Sequence, residues 1–246
     1  MQENLQYTIF ETNNDLEVPT LRLDRQPDVV AAPFLCYGEQ LRKTDLYGNC
    51  SIHFYTDDYR FTNVFEKPST IVGMNPRNIV EPNFSCYVET PVAIGIQQIY
   101  KKRAVARYCQ DHGINVFIDL NVNHKFYKVN MLGVPRGYHS FCTRGYEERM
   151  EYLDFEYNLA KEWSDGNDLL FAIYGGGQKV RKYAQDHRCI YIAQMVQGKN
   201  KISKAKKIQE DIAFGLPLCG VDINQIVKEV TDNQVINFKA IGNYDK

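Results

Sequence analysis

The sequence predicts one α/β domain with parallel strands, arranged as an irregular or incomplete TIM-like barrel. Two observations support this. Seven short apolar runs, bounded by Gly, Pro, Asn or Asp and rich in β-branched or aromatic residues, have the character of strands. Helical patterns occupy intervals between these runs, and strands that alternate with helices pair in parallel through right-handed crossovers. An open doubly wound sheet is the alternative arrangement of the same elements.

The predicted strands define a core domain of residues 50–198. They cover residues 50–56, 70–74, 83–89, 115–122, 138–143, 168–174 and 189–194. Residues 1–49 are turn-rich, because three prolines divide them into short segments, and we expect an N-terminal extension that packs on the core. Residues 199–246 are predicted to form a basic helical segment and a tail.

Three helices are predicted within the core. The clearest runs from about Thr90 to His112, with Thr90 as the N-cap, Pro91 in the first turn and Gly113 just after the end. A second covers about residues 146–163, with an acidic first turn, and a third follows Gly177. These helices separate predicted strands, as a parallel barrel requires.

Composition excludes several classes of protein. The 246 residues are 44% hydrophobic and 24% charged, which excludes a disordered or fibrous chain. The formal net charge of −1 gives no overall attraction to nucleic acid, so any such surface is a local patch. No run approaches the ~20 apolar residues of a membrane span, and the start lacks a signal peptide pattern, so we expect a cytoplasmic protein. The seven cysteines are scattered and are expected to be reduced thiols rather than zinc ligands.

Polar side chains at strand ends are the candidate catalytic residues. Asp119 and Asn121 alternate with apolar residues along strand 115–122, so they share one face of it. Glu89 ends the predicted strand 83–89, and Arg144 follows strand 138–143. Carboxyl ends of parallel strands meet at one edge, so these four residues are expected to converge. They could hold a hard metal ion or supply acid and base, or Arg144 could be an ion-pair partner; no particular metal or cofactor is indicated.

A glycine-rich turn provides a candidate phosphate site. Gly175, Gly176 and Gly177 connect a predicted strand to a helix, where exposed backbone N–H groups suit an anion, and Lys179 adds charge. The segment matches neither the dinucleotide-binding nor the P-loop pattern. Three glycines in a tight strand-to-helix turn are more often a conformational device than a ligand site.

Two basic clusters are candidate nucleic-acid contacts. One lies in the later part of the first helix, where the helix dipole suffices to explain the cations, and the other near the C-terminus, where a solvated helix face is the usual explanation. Their members are Lys101, Lys102 and Arg103, and Lys204, Lys206 and Lys207. His124 and His139, beside predicted strands, are candidates for a general base.

Several ordered motifs resemble the domain-of-unknown-function 4417 family. They are residues 52–61 with Pro68, residues 81–87 with Thr90-Pro91, and residues 99–103, 110–114, 133–135 and 173–175. The resemblance covers roughly Pro33 to Met195. It implies an α/β fold and an origin in phages or other bacterial mobile elements, and it carries no agreed catalytic residues. Asn83, and Asp119 with Asn121 in the strand at 115, depart from the family's pattern.

Three functions follow as hypotheses. The first is a nucleic-acid-associated protein of a mobile element, acting in replication or DNA processing and binding DNA or RNA. The second is a TIM-like enzyme that acts on a small phosphorylated or nucleotide ligand at the strand ends. The third is a non-catalytic adaptor that binds a host protein. If Asp119→Ala removes ligand binding but not the fold, the second is favoured; if it unfolds the protein, Asp119 is structural.

Overall fold

The computed structural model describes residues 4–38 and 48–194. Within them lies one sheet of seven parallel strands, in which each strand pairs with the next one along the chain. The strands and helices are β1 Phe34–Cys36, β2 Ser51–His53, α1 Ser69–Gly73, β3 Asn78–Val80, α2 Val92–Asp111, β4 Asn115–Asp119, α3 Tyr127–Asn130, β5 Ser140–Arg144, α4 Met150–Trp163, β6 Leu170–Tyr174, α5 Gly177–Asp186 and β7 Ile190–Ile192.

The sheet curls into a nearly closed barrel. In a flat sheet, β2 and β6 would be four strand spacings apart, or roughly 19 Å. Instead the ring of His53 on β2 lies 4.3 Å from the ring of Tyr174 on β6, and Phe34 on β1 lies 5.9 Å from Tyr174. Side chains from all seven strands or their ends pack together in this interior. The predicted barrel is confirmed, and the sequential strand order excludes the doubly wound alternative.

A second apolar core lies between the outside of the barrel and the helices. On β4, Val116 and Ile118 belong to this outer core, whereas Phe117 belongs to the barrel interior. The predicted alternation along residues 115–122 is therefore confirmed, and it directs Asp119 to the interior side of its strand end.

Two predicted strands are wrong. Residues 70–74 lie almost wholly in the short helix α1, which begins after Pro68 and buries Ile71. Residues 83–89 form an irregular loop, and the strand of this region is the earlier segment Asn78–Val80. A strand of three residues is too short for an alternating pattern, whereas the loop's alternation of apolar and polar residues imitates one.

The N-terminal segment is built into the barrel. It supplies β1, and the side chain of Gln110 on α2 accepts from Arg22 N at 2.7 Å and donates to Arg25 O at 2.9 Å. The backbone N–H of His139 donates to Gln26 Oε1 at 2.7 Å. The segment thus contacts helix α2 and the residue before β5, and it also forms one edge strand of the sheet. The predicted basic segment 199–246 lies outside the described residues.

The predicted helices are confirmed with small changes at their ends. Thr90 does not cap α2; its hydroxyl accepts from Tyr87 N at 2.9 Å, and the helix ends before Gly113, whose φ is +86°.

The six cysteines in the described part form no disulfide, and five are buried. Among these residues no three His, Cys, Asp or Glu side chains are grouped as metal ligands. None of the described helices has both the length and the apolar character needed to traverse a bilayer.

Candidate functional site

A cavity of about 1070 Å³ opens at the carboxyl ends of β2 to β5. Its walls are the segments that follow these four strands, and one side chain of α2, Gln98, contributes from the side. Active sites of parallel α/β barrels lie at this end, because the loops after the strands converge there. The cavity is therefore the candidate site, and it lies where the strand order predicts it.

Three of the four predicted catalytic residues line the cavity. Asn121 and Arg144 lie on its wall, and Glu89 is exposed on the loop between β3 and α2. Asp119 is fully buried beneath the wall. It is connected to the cavity through Asn83, a wall residue that donates to Asp119 Oδ2 at 3.0 Å. The predicted convergence is thus present for Glu89, Asn121 and Arg144, with Asp119 one layer below.

Asp119 is surrounded by donors. Lys102 Nζ lies 3.3 Å from Asp119 Oδ2 and donates to the Asp119 carbonyl at 2.9 Å. The Tyr55 hydroxyl donates to Oδ1 at 3.0 Å, and the backbone N–H of Asn121 donates to the same oxygen at 3.1 Å. With the amide of Asn83, these contacts occupy both carboxylate oxygens. This is the bonding of a structural ion pair.

A second buried ion pair extends this floor. The Arg103 guanidinium donates to Glu81 Oε1, and it also donates to Leu132 O at 3.1 Å. Glu81 Oε2 accepts from Asp119 N at 3.1 Å and lies 4.0 Å from Lys102 Nζ. Burial raises the pKa of Glu81, an effect that Arg103 and Lys102 oppose. Two acids and two cations thus neutralise one another under the cavity.

This floor corrects the predicted nucleic-acid patch. Lys102 is 1% exposed and Arg103 0% exposed, so neither charge reaches a nucleic acid at the surface. Their acidic partners come from strand ends distant in sequence, which a helical pattern does not reveal. Lys101 remains partly exposed, with Nζ 5.8 Å from the Phe65 ring, and Lys204, Lys206 and Lys207 lie outside the described residues.

A candidate functional residue that the sequence analysis did not identify is Glu156 on α4. It lines the cavity and is 5% exposed. The Thr143 hydroxyl donates to Glu156 Oε2 at 2.7 Å and the Tyr127 hydroxyl to Oε1 at 3.2 Å. Burial raises the pKa of Glu156 to about 8, which favours its protonated form near neutral pH. Its position in the apolar stripe of α4, three residues after Leu153 and four before Ala160, is the signal that could have found it.

Two arginines flank one ring on the same wall. The guanidinium carbon of Arg144 lies 5.3 Å from the centre of the Tyr146 ring, and that of Arg149 lies 5.1 Å from it. Neither guanidinium has a hydrogen bond or ion pair with any residue that the structure describes. The ring contact positions both cations and leaves their N–H groups available to a ligand.

The histidines have different surroundings. His53 is buried in the barrel, and burial, helped by the positive charge of Arg144, lowers its pKa to about 3. Its Nδ1 accepts from Tyr55 N at 3.2 Å. His124 lines the cavity and stacks on Tyr152 with ring centres 5.8 Å apart. His139 precedes β5 at the opposite end of the barrel, so it is no base for this site.

The predicted phosphate site at residues 175–177 is occupied by protein. A side chain on Gly176, where φ is +92°, would lie 2.6 Å from the Gly145 carbonyl carbon. The Lys179 backbone N–H at the start of α5 donates to Glu147 Oε1 at 3.0 Å. A carboxylate therefore fills the place where a phosphate would bind. Gly175, Gly176, Gly177 and Lys179 are not among the cavity walls, and this turn serves conformation and packing.

Comparison with known proteins gives one family and two relatives. A model described as Domain of unknown function (DUF4417) matches residues 10–158. The Gene 1 protein of Mycobacterium phage L5 is 28% identical over 117 residues, which are 46% of this chain and 49% of that protein. The Gene 1 protein of Mycobacterium phage D29 is 29% identical over 119 residues, 46% of this chain and 42% of that protein. The match thus spans less than half of each relative. No solved structure matches significantly.

Proposed function

The chain belongs to the DUF4417 family and is related to mycobacteriophage Gene 1 proteins, and from that premise we propose that it is an enzyme acting on a small phosphorylated molecule. The family match confirms the resemblance found in the sequence, although it ends at residue 158, before the motif at residues 173–175. The whole cavity, from Tyr55 to Glu156, lies inside the matched range. The site is therefore carried by the part of the chain that defines the family.

The observation that carries the proposal is the pair of guanidiniums of Arg144 and Arg149 on the cavity wall, which have no hydrogen bond or ion pair with the residues that the structure describes. Guanidinium groups donate two parallel N–H bonds to a phosphate, and those bonds are stronger than bonds between neutral groups. Both cations are held by the Tyr146 ring, so part of the entropy cost of binding is already met. A phosphate between them would supply acceptors that the described part of the chain does not.

Glu156 supplies an acid in the same cavity. A protonated carboxyl with a pKa of about 8 is an effective general acid near neutral pH, because its pKa lies close to the pH. After transfer, Thr143 and Tyr127 already donate to the two carboxylate oxygens and stabilise the ionised form. Asn121 adds its side-chain amide, and Asn83, whose NH2 group donates to Asp119 and Asn121, adds its side-chain carbonyl oxygen to orient a polar ligand. The arrangement suits proton transfer to a bound phosphorylated compound.

Association with nucleic acid is the other candidate function, and it has less support. Of its basic residues in the described part, Lys102 and Arg103 are buried, and Lys101 alone remains accessible. If Lys204, Lys206 and Lys207 bind phosphates, their neutralisation will weaken DNA binding and flatten its salt dependence. A host-protein adaptor makes no use of a buried, protonated carboxyl, so the cavity does not favour it.

The proposal is tested by calorimetric binding of ribose 5-phosphate and glycerol 3-phosphate, with ribose and glycerol as uncharged counterparts. We expect the phosphate esters alone to bind, and Arg144→Gln or Arg149→Gln to weaken binding about tenfold or more, since a charge-assisted hydrogen bond is worth ~1.5–3 kcal/mol. Arg136→Gln is the matched control, because this arginine packs on Trp163 outside the cavity. Equal binding of esters and uncharged counterparts would refute the proposal.

A further inference from the structure

Two exposed tyrosines stand at the cavity on neighbouring loops. Tyr59 is 70% exposed and Tyr87 is 65% exposed, although both line the cavity. The loops that carry them are joined, because Asp58 Oδ1 accepts from the Ser85 hydroxyl at 2.8 Å and Asp58 Oδ2 accepts from Ser85 N at 3.0 Å. Exposed aromatic rings beside a polar cavity are surfaces on which a planar ligand ring can stack.

The loop carrying Tyr87 is already held in place. Lys125 Nζ donates to Val88 O at 3.2 Å and to Thr90 O at 2.9 Å. The amide of Asn83 ties its start to Asn121 O at 3.0 Å. A ligand that stacks on Tyr87 therefore binds a preformed surface and does not meet the cost of ordering the loop.

Gln98 provides an acceptor without a donor. Gln98 lines the cavity, and its Oε1 is buried without a hydrogen-bond partner among the residues that the structure describes. A buried acceptor left without a partner costs ~1–3 kcal/mol. An N–H group of a ligand would satisfy it. The cavity is therefore complementary to a molecule that combines a planar ring, an N–H donor and an anionic group.

We propose that this molecule is a nucleotide, with its phosphate on Arg144 and Arg149, its base stacked on Tyr59 or Tyr87, and a base N–H donating to Gln98. This inference rests on the proposed function and names the substrate class of the same site. The cavity volume of about 1070 Å³ exceeds what a mononucleotide needs. A free nucleotide and the 5′-terminal nucleotide of a strand present the same chemistry, so both sources belong in the test.

The test compares the binding of ribose 5-phosphate with that of AMP, CMP, GMP and UMP, and with a 5′-phosphorylated oligonucleotide. At least one mononucleotide should bind about tenfold or more tightly than ribose 5-phosphate, since stacking of one base contributes ~1–3 kcal/mol. Tyr87→Ala or Tyr59→Ala should remove this preference and leave ribose 5-phosphate binding unchanged. Tyr7→Ala is the control, because Tyr7 is 80% exposed and does not line the cavity.

Gln98→Met gives an independent readout. Removing the unpaired acceptor should stabilise the free protein, while it weakens nucleotide binding several-fold and leaves ribose 5-phosphate binding unchanged. If Gln98 had only a structural role, Gln98→Met would instead destabilise the free protein. If nucleotides bind no more tightly than ribose 5-phosphate, the inference is overturned and the proposed function stands. If no phosphate ester binds, both fail; if the oligonucleotide alone shows the preference, the ligand is a strand end.

Discussion

Glu156 and Asp119 are buried carboxyl groups near one another in the fold, and their partners give them different roles. Asp119 has a cation, Lys102, at 3.3 Å and donors on both oxygens. Glu156 has two hydroxyl partners and carries its own proton near neutral pH, because burial raises its pKa to about 8. The first therefore holds the floor together, and the second is chemically available to the cavity.

Glu156→Gln should change how stability depends on pH. Between the usual pKa of 4.5 and about 8, the folded protein keeps the proton of Glu156 while the unfolded chain releases it. The free energy of unfolding therefore falls as pH rises through this window, by up to about 3–5 kcal/mol, and is constant above it. Glutamine has no proton to release, so urea denaturation from pH 5 to 9 should show a flatter profile for the variant.

The raised pKa of Glu81 adds a slope of the same sign, so the measured quantity is the difference between the variant and the wild type. Glu148→Gln, on the exposed start of the same helical segment, is the control and should follow the wild-type profile. Parallel wild-type and Glu156→Gln profiles would show that Glu156 is ionised in the folded protein.

Asp119→Ala should destabilise the fold, rather than only remove ligand binding. The change leaves Lys102 buried beside an empty site, and breaking one partner of a buried ion pair costs ~3–5 kcal/mol. Lys102→Met in the Asp119→Ala background should recover part of this loss, and the double-mutant cycle measures the coupling. Asp24→Ala, which breaks an exposed pair with Arg22 at 2.8 Å, should leave the denaturation midpoint unchanged. A stable Asp119→Ala variant without ligand binding would restore the catalytic interpretation.

The sequence shows which residues at strand ends are polar, but it shows less about which groups contact them. Alternation along residues 115–122 was sufficient to direct Asp119 and Asn121 inward. Burial of Lys102 and Arg103 could not be predicted, because cations late in a helix are usually solvated and Glu81 lies more than twenty residues away. Glu156 could have been identified from the sequence, because a carboxyl group in the apolar stripe of a helix is costly to bury without a role.

Among the elements, helix α2 connects the cavity to the floor. It carries Gln98 on the cavity wall and, one turn later, Lys102 and Arg103 beneath it. Its approach to the barrel depends on Gly95, because a Cβ there would lie 2.1 Å from the buried ring of Phe126. The helix therefore accepts a residue of poor helix propensity in exchange for close packing.

Gly95→Ala should destabilise the protein by about 1–3 kcal/mol, although alanine favours a helix, because the Phe126 ring has to move within a packed core. Gly73→Ala is a matched control, since this glycine ends α1 with open space around its Cβ position. We expect Gly73→Ala to be neutral or slightly stabilising in thermal denaturation. If Gly95→Ala is as neutral as Gly73→Ala, the Phe126 ring moves at no cost.

Strand prediction was most reliable for the longest strands. The runs that contain β4, β5 and β6, each five residues long in the structure, were all found. Of the four strands with three residues each, β2 and β7 lie inside predicted runs, whereas β1 and β3 do not; the position of strands this short is decided by pairing with neighbours. The run at residues 70–74 is rich in β-branched residues, yet its tertiary position after Pro68 makes it helical.

At the scale of the whole molecule, the barrel combines a part that the family model matches with a part that lies beyond the match. The family match covers residues 10–158, which contain β1 to β5 and every residue of the cavity wall. Strands β6 and β7 with α5 complete the barrel beyond it. They contribute Tyr174, which packs against His53 and Phe34 across the interior. The site thus depends on the later elements for support and not for wall residues.

The N-terminal segment should be required for folding, because it forms one strand and contacts both β5 and α2. A chain of residues 50–246 loses β1 and leaves Gln110, which is 1% exposed in the full structure, without its backbone partners at Arg22 and Arg25. Such unpaired buried amides are costly. We expect this shortened chain to lack a cooperative unfolding transition by near-ultraviolet circular dichroism, whereas a chain of residues 4–246 retains it. A cooperative transition for residues 50–246 would instead show that residues 1–49 are a dispensable extension, and that the barrel is stable with six strands.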